Sequence, residues 1–455
     1  MYSNLRKSRR LAISLTAAAL LAASVSAGAA FASGASNKAA SNFQASGLAA
    51  PNQIPYANSA VTAEAADQLH IVAVGDSLTA GYELGMQVGA IPYGYVDRVY
   101  EQALYHSRAD LQNYGVLGLK STGLKGWLDA AVNGTTATAE QVQPNLSSYP
   151  LASEMIAKSS NLCSALEQAN IVVMTIGGND FTGILEEIKK SPMTAEQLGA
   201  RLDTMLSDYN SSLEASLRMI FSINGTTQVI FADQYLPVPK PSAINKAVTE
   251  EQYAVLLDAV KKLREQDEAL AAKLRQEGLN VKSVDVSEPF KGNELAYTYI
   301  LRGDIHPKQT GYEQIGKAFA KGIWNEYREP AALPTGVPLR VVVKGITLSG
   351  ANTAIVKNST TFLPMRDIAT AMNATLSWDN KARTATLKAG DKQVSFTIGA
   401  KTMNVNGQVI PLETPAYLQK VGSSQVTYLP LAALSKGLGY QVIYRKPIQT
   451  VFVNK

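Results

Sequence analysis

The chain has 455 residues, 46% of them apolar, with 33 Gly and 19 Pro; it is too long for one typical domain and too apolar for a disordered polymer. Its 42 basic and 37 acidic residues give a formal charge of +5, and setting aside Arg6, Lys7, Arg9 and Arg10 leaves +1. A nearly neutral chain without a basic stripe interleaved with aromatics has no electrostatic footprint for nucleic acid or an anionic membrane.

Four basic residues without an acid, an Ala/Leu-rich run from Leu11 and the small-residue site Ala30-Phe31-Ala32 give residues 1–32 the layout of a secretory signal. The alternative is an uncleaved anchor, for which the Ala and Ser content is weakly hydrophobic. Residues 33–66, rich in Ala, Ser, Asn and Gln, read as a flexible tether. Folded structure is expected from about Leu69. Short β-branched runs then alternate with helix-spaced segments. The strands are Ile71–Val74, Ile171–Ile176, Val229–Phe231 and Val281–Val286; the helices are Gly94–Tyr105, Leu198–Phe221, Glu250–Gln276 and Gly311–Tyr327. Continuous apolar strands alternating with helices predict an α/β fold, a parallel sheet covered on both faces. In such sheets the active groups collect beyond the carboxyl ends of the strands. Three prolines between Pro330 and Pro338 mark a linker, 330–340, which separates a domain at 67–329 from one at 341–455.

The last segment repeats itself. Thr361-Phe362-Leu363-Pro364-Met365-Arg366-Asp367-Ile368-Ala369 returns 66 residues later as Thr427-Tyr428-Leu429-Pro430-Leu431-Ala432-Ala433-Leu434-Ser435. The same offset brings Trp378 onto Tyr444, Thr384 onto Thr450 and Leu387 onto Val453, so the duplication runs through a short helix and two strands. It resembles the stalk-type domain named after the N-terminal domain of copper amine oxidases, often appended to envelope proteins of Gram-positive bacteria. No His or Cys follows His306, so nothing in this segment can bind copper in the usual way. The resemblance implies a structural role or attachment to the cell wall.

Four segments carry the chemistry. Gly75-Asp76-Ser77-Leu78-Thr79 follows the first strand and places Ser77 at a strand end and a helix N-terminus, although a capping serine would look alike. Asn113-Tyr114-Gly115-Val116-Leu117-Gly118, after a strand starting at Leu111, and Gly177-Gly178-Asn179-Asp180 put glycines where a backbone amide can approach a ligand. Either is also readable as a plain turn, with Asp180 capping the next helix. Asp304-Ile305-His306-Pro307 offers a loop histidine beside a carboxylate. His70 and His106 lack such surroundings. The only cysteine, Cys163, excludes an internal disulfide and reads as a buried small hydrophobe.

Taken in order, these blocks resemble those of the SGNH hydrolases, or GDSL esterase/lipase family, over residues 69–327. The resemblance implies a flavodoxin-like three-layer sandwich and a serine ester hydrolase without metal or organic cofactor. It implies Ser77 as nucleophile, His306 as base, and an oxyanion hole from the Ser77 N–H, the Gly118 N–H and the Asn179 amide. The substrate would be an ester of an acyl lipid or an acylated glycan. A carbohydrate O-deacetylase and a non-catalytic envelope scaffold are the alternatives. The family's acid stands three residues before the histidine, where this chain has Gly303. Either Asp304 or a carbonyl near Gly303 orients the imidazole. Segments 127–160 and 181–200 are expected to build the substrate pocket. The expected location is secreted or wall-associated in a Gram-positive bacterium.

Overall fold

A computed structural model describes residues 68–242, 247–349 and 354–455. The expected leader and tether lie outside the described residues. Among those residues the chain divides into two compact units, one of 72–96 and 113–322, the other of 68–71, 97–112 and 323–455. No helix of the described residues is long and apolar enough to cross a membrane.

Five strands form a parallel sheet: β1 (Gln68–Gly75), β2 (Arg108–Gly115), β3 (Ile171–Thr175), β4 (Gln228–Ala232) and β5 (Val281–Val284). Their order is β2-β1-β3-β4-β5, that of flavodoxin-like folds, in which the direction of winding reverses between β1 and β3. The central strands β1, β3 and β4 are apolar on both faces because helices cover both. Val172, Met174, Val229, Phe231 and Val281 enter one core with Leu124, Trp127 and Leu128 of helix α2, Leu206 and Leu213 of α4, and Leu270 and Leu274 of α5. Ile230, pointing the other way, faces Gly322 of the last helix, where a side chain would lie 3.6 Å from it and 2.6 Å from Val284.

The longest helices of this part are α1 (Tyr95–Ala103), α2 (Ser121–Val132), α3 (Ser159–Gln168), α4 (Ala195–Ile223), α5 (Glu250–Gln276) and α6 (Gln309–Trp324). Helices α4 and α5 begin at Thr194 and Thr249, each closed by a capping box with Gln197 or Gln252. These caps set the starts that apolar spacing alone put three residues late in α4. Strand β2 starts at Arg108, ahead of the expected Leu111, and its alternating burial hides it from a search for continuous apolar runs. Cys163 is half-buried, against expectation. Leu162, Ala165 and Leu166 fill the buried face of α3, and Cys163 stands one residue round from it.

The strand-rich C-terminal part has its own core, including Leu363, Ile368, Leu387, Phe396, Leu429, Leu434 and Val453. The duplication is structural. Strand β7 (Thr360–Pro364), helix α7 (Met365–Ala371), β8 (Thr375–Asp379) and β9 (Thr384–Ala389) recur as β11 (Ser424–Pro430), α8 (Leu431–Gly437), β12 (Gln441–Arg445) and β13 (Thr450–Asn454). The copies join through β7 and β11, antiparallel, with Leu363 opposite its own counterpart Leu429, Phe362 opposite Pro430 and Pro364 opposite Tyr428. That register is a local twofold. Beyond the hairpins the copies differ: β9 pairs antiparallel with β10 (Lys392–Thr397), and β13 pairs parallel with β6 (Arg340–Val343).

Candidate functional site

The sequence-predicted residues lie on loops beyond the carboxyl ends of the strands, Ser77 after β1, Gly118 after β2, Asn179 after β3 and His306 after β5. Gly75 ends β1 at φ +146°, and a side chain there would lie 2.1 Å from the Thr175 carbonyl of β3, so the two strand ends approach as only glycine permits. The Asp76 N–H donates to that carbonyl at 3.0 Å, and Val116 N–H donates to the Gly75 carbonyl at 2.9 Å. The turn at Ser77 is thus pinned from both sides. Asp76 is fully buried and accepts from Leu78 N–H at 3.0 Å and Thr175 Oγ1 at 2.9 Å. Burial raises its pKa to about 7 against the lowering effect of these bonds and of His306.

Ser77 Oγ lies 2.8 Å from His306 Nε2, and His306 Nδ1 lies 2.8 Å from Asp304 Oδ1. With Nδ1–H donating to the carboxylate, Nε2 is left to accept the serine proton. The same Asp304 oxygen also accepts the His306 backbone N–H at 2.8 Å, which draws the acid and the imidazole into one short turn. Gly303 adopts the left-handed conformation at φ +75°, and Asp304 N–H donates to the Tyr299 carbonyl at 3.3 Å. This turn lets an acid two residues ahead of the histidine reach Nδ1. Burial would raise the Asp304 pKa, but the hydrogen bond and charge of His306 outweigh it and hold the carboxyl below its usual range. The histidine loop is fastened by Tyr299 N–H to the His306 carbonyl at 3.0 Å and by Tyr235 hydroxyl to the Ile305 carbonyl at 2.7 Å. Tyr82 meets the imidazole edge-on with ring centres 4.6 Å apart.

The first three blocks supply three candidate donors. Ser77 N–H and Gly118 N–H have no protein acceptor among the described residues. Buried backbone donors rarely go unpaired. The Asn179 amide gives one N–H to the Leu119 carbonyl at 3.0 Å, and the second is the third available donor. Asn113 contributes support, its amide donating to the Thr79 carbonyl at 2.8 Å.

Asp180 lies inside a short helix, Gly178–Phe181, and does not cap the one that follows, Gly183–Lys190, whose N-cap is Thr182. Its carboxylate accepts Ser121 N–H at 3.0 Å and Ser121 Oγ–H at 2.6 Å, at the head of α2, whose own N-cap residue, Lys120, makes no side-chain cap bond. The remaining histidines take no part. His70 Nδ1 lies 2.9 Å from Asp110, and His106 stacks on Trp324 with centres 5.0 Å apart.

Sequence reasoning missed Gln143, which is buried and bonded at both ends of its amide to residues 118–120. It also missed Tyr149, whose ring lies against Gly118. A buried glutamine carries no sequence signature; the one local signal is the capping box of Thr138 and Gln141 just before it.

Residues 71–319 match the GDSL-like lipase/acylhydrolase family, and residues 342–453 match the copper amine oxidase N-terminal domain. Among solved structures the chain is similar to a lipase from a goat rumen metagenome, at 20% identity over 56% of this chain and 98% of that one, with a TM-score of 0.38. It is similar to an acetylxylan esterase from Geobacillus stearothermophilus, a catalytic mutant, at 15% identity over 58% and 97%, TM-score 0.34. An extracellular lipase from Streptomyces rimosus aligns at 19% identity over 55% and 99%, TM-score 0.35. No curated relative matches the chain.

Proposed function

Because the chain belongs to the GDSL-like lipase/acylhydrolase family, we propose that it hydrolyses carboxylic esters with Ser77 as nucleophile, His306 as general base and Asp304 as the group that orients the imidazole. The observation that carries this reading is the unbroken hydrogen-bonded chain from Asp304 through His306 to Ser77. A serine hydroxyl is a weak nucleophile at neutral pH and needs a base at hydrogen-bond distance. As Ser77 Oγ attacks the acyl carbon, its proton passes to Nε2. The Asp304 carboxylate stabilises the imidazolium that forms. The carbonyl oxygen becomes an oxyanion held by the N–H groups of Ser77 and Gly118 and the free N–H of Asn179. Nε2–H then protonates the leaving alcohol. Water, deprotonated by the same nitrogen, attacks the acyl carbon, and the acid leaves as Nε2–H returns its proton to Ser77 Oγ.

Two further parts of the proposal rest on sequence. The charged-then-apolar residues 1–32 support export, which N-terminal sequencing of secreted protein checks. The C-terminal duplication, akin to a domain appended to envelope proteins, supports attachment at the cell wall, with an acyl lipid or acylated glycan as substrate.

Turnover of a soluble short-chain aryl ester by the full chain tests the enzyme reading. Wild-type protein is expected to hydrolyse it, and Ser77→Ala to remain folded with less than about one part in 10⁴ of that rate. Equal rates for the two proteins would remove Ser77 from the reaction.

A further inference from the structure

The backbone from Gly118 to Ser121 is almost saturated. The Gly118 carbonyl accepts Gln143 Nε2–H at 2.9 Å, and Lys120 N–H donates to Gln143 Oε1 at 2.8 Å. The Leu119 N–H donates to the Val116 carbonyl at 3.3 Å, and the Lys120 carbonyl accepts from Leu124 N–H at 2.9 Å. The Leu119 carbonyl takes the Asn179 amide and Ser121 N–H takes Asp180. Gly118 N–H alone in this stretch has no partner among the described residues.

Gly118 sits at φ +76°, and a side chain on it would lie 2.4 Å from the ring of Tyr149. Glycine left to itself moves between left- and right-handed conformations at little cost. Two groups remove that freedom. The Tyr149 ring occupies the space beside the α-carbon, and Gln143 grips the carbonyl on one side of Leu119 and the N–H on the other. Gln143 is 8% exposed, and a buried amide is stable there only with both ends bonded, so the residue is fitted to this one loop. The segment expected to build a substrate pocket thus supplies a brace.

We propose that Gln143, seconded by Tyr149, is a positioning residue for ester hydrolysis: it holds the Gly118 turn so that the unpaired N–H is aimed at the oxyanion before the substrate arrives. A donor fixed in advance stabilises the transition state without reorganising at the moment of reaction. The inference rests on the reading of Ser77 as nucleophile.

The test uses the full chain, a soluble aryl ester, and titration of competent sites with an activated phosphonate, so that turnover is counted per working site. Gln143→Met keeps the length of the side chain and removes both hydrogen bonds. It is expected to lower kcat per titrated site by about 10- to 100-fold, less than or comparable to deleting a donor. KM should stay within about twofold, the signature of an interaction made only in the transition state. The pH profile of kcat/KM should not move, because Asp304, His306 and Ser77 are untouched. Tyr149→Ala, at a half-exposed position, leaves no buried amide unpaired and is expected to lower kcat per site by about 3- to 10-fold. Wild-type kcat per site in both variants, or a raised KM with unchanged kcat, would overturn the proposal; should Gln143→Met not fold, Tyr149→Ala decides alone. Wild-type and Ser77→Ala proteins with the same ester turnover would instead overturn the reading beneath it.

Discussion

At the carboxyl ends of β1 and β3, strongly polar groups are crowded together and three N–H donors are left over. In residues 360–454 the chain is copied, and the copies meet by pairing Leu363 with Leu429 across a local twofold. The first region spends burial on groups that are costly to bury: Asp76, Ser77 and Gln143 are all under 9% exposed. The second buries Phe362, Leu363, Leu429, Leu434 and Val453, and some of its hydroxyls pair with each other, Thr384 with Thr397 and Thr386 with Ser395. In the duplicated part Asp367 Oδ2, Ser435 Oγ and Asn454 Oδ1 are also buried without a partner among the described residues; what marks the site is unpaired donors, two of them backbone N–H groups.

The sharpest way to break this contrast is at the carboxylate. Asp304→Asn keeps the shape of the turn and removes the charge beside Nδ1. Turnover of a soluble ester should fall by as much as roughly 10⁴ with the fold preserved, as read by circular dichroism. A near-normal rate would leave Ser77 and His306 as a pair oriented by backbone alone.

In the duplicated part the expected effect is on stability. Leu429→Ala removes a buried side chain at the twofold and should cost about 2 to 5 kcal/mol in the unfolding of that region, measured with denaturant. Turnover per titrated site should not change. A turnover that fell with stability would dissolve the distinction between the two regions.

The smallest effect concerns a buried acid near the site. Asp233 accepts the N–H groups of Val286 and Ser287 at 2.6 and 3.2 Å, while its second oxygen has no partner. Burial raises its pKa from 3.8 to about 7, against the effect of those bonds. The folded protein therefore binds a proton that the unfolded chain releases between these values, and this group's contribution to stability falls as pH rises from about 4 to about 7. Asp233→Asn should flatten part of the decline in melting temperature over that window. A decline as steep as that of the wild type would show that Asp233 does not carry it.

Much of this was legible in the sequence because it is local. Apolar strands, helix spacing and the 66-residue repeat follow from contacts along the chain, as does a serine at a strand end. The acid was left open between Asp304 and a carbonyl near Gly303, since the answer depends on a left-handed Gly303 that composition does not dictate. Gln143 and Asp180 were out of reach for another reason. Their partners lie 25 and 59 residues away, and nothing local distinguishes a polar residue that braces a loop from one that faces water. Local sequence offers Asp180 as a cap of the helix that follows it, and only the packing of the second and third blocks shows its carboxylate at the head of α2.

The central claim is that His306 activates Ser77 in a site ready for an oxyanion. Reaction of the full chain with an activated alkyl phosphonate ester, followed by mass spectrometry of the digested protein, tests it directly, because the reagent reports nucleophilic attack without requiring turnover. The account predicts a single adduct on Ser77 in wild-type protein, formed at least about 10²-fold more slowly in His306→Ala. An adduct on another residue, or equal labelling of Ser77 with and without His306, would contradict it.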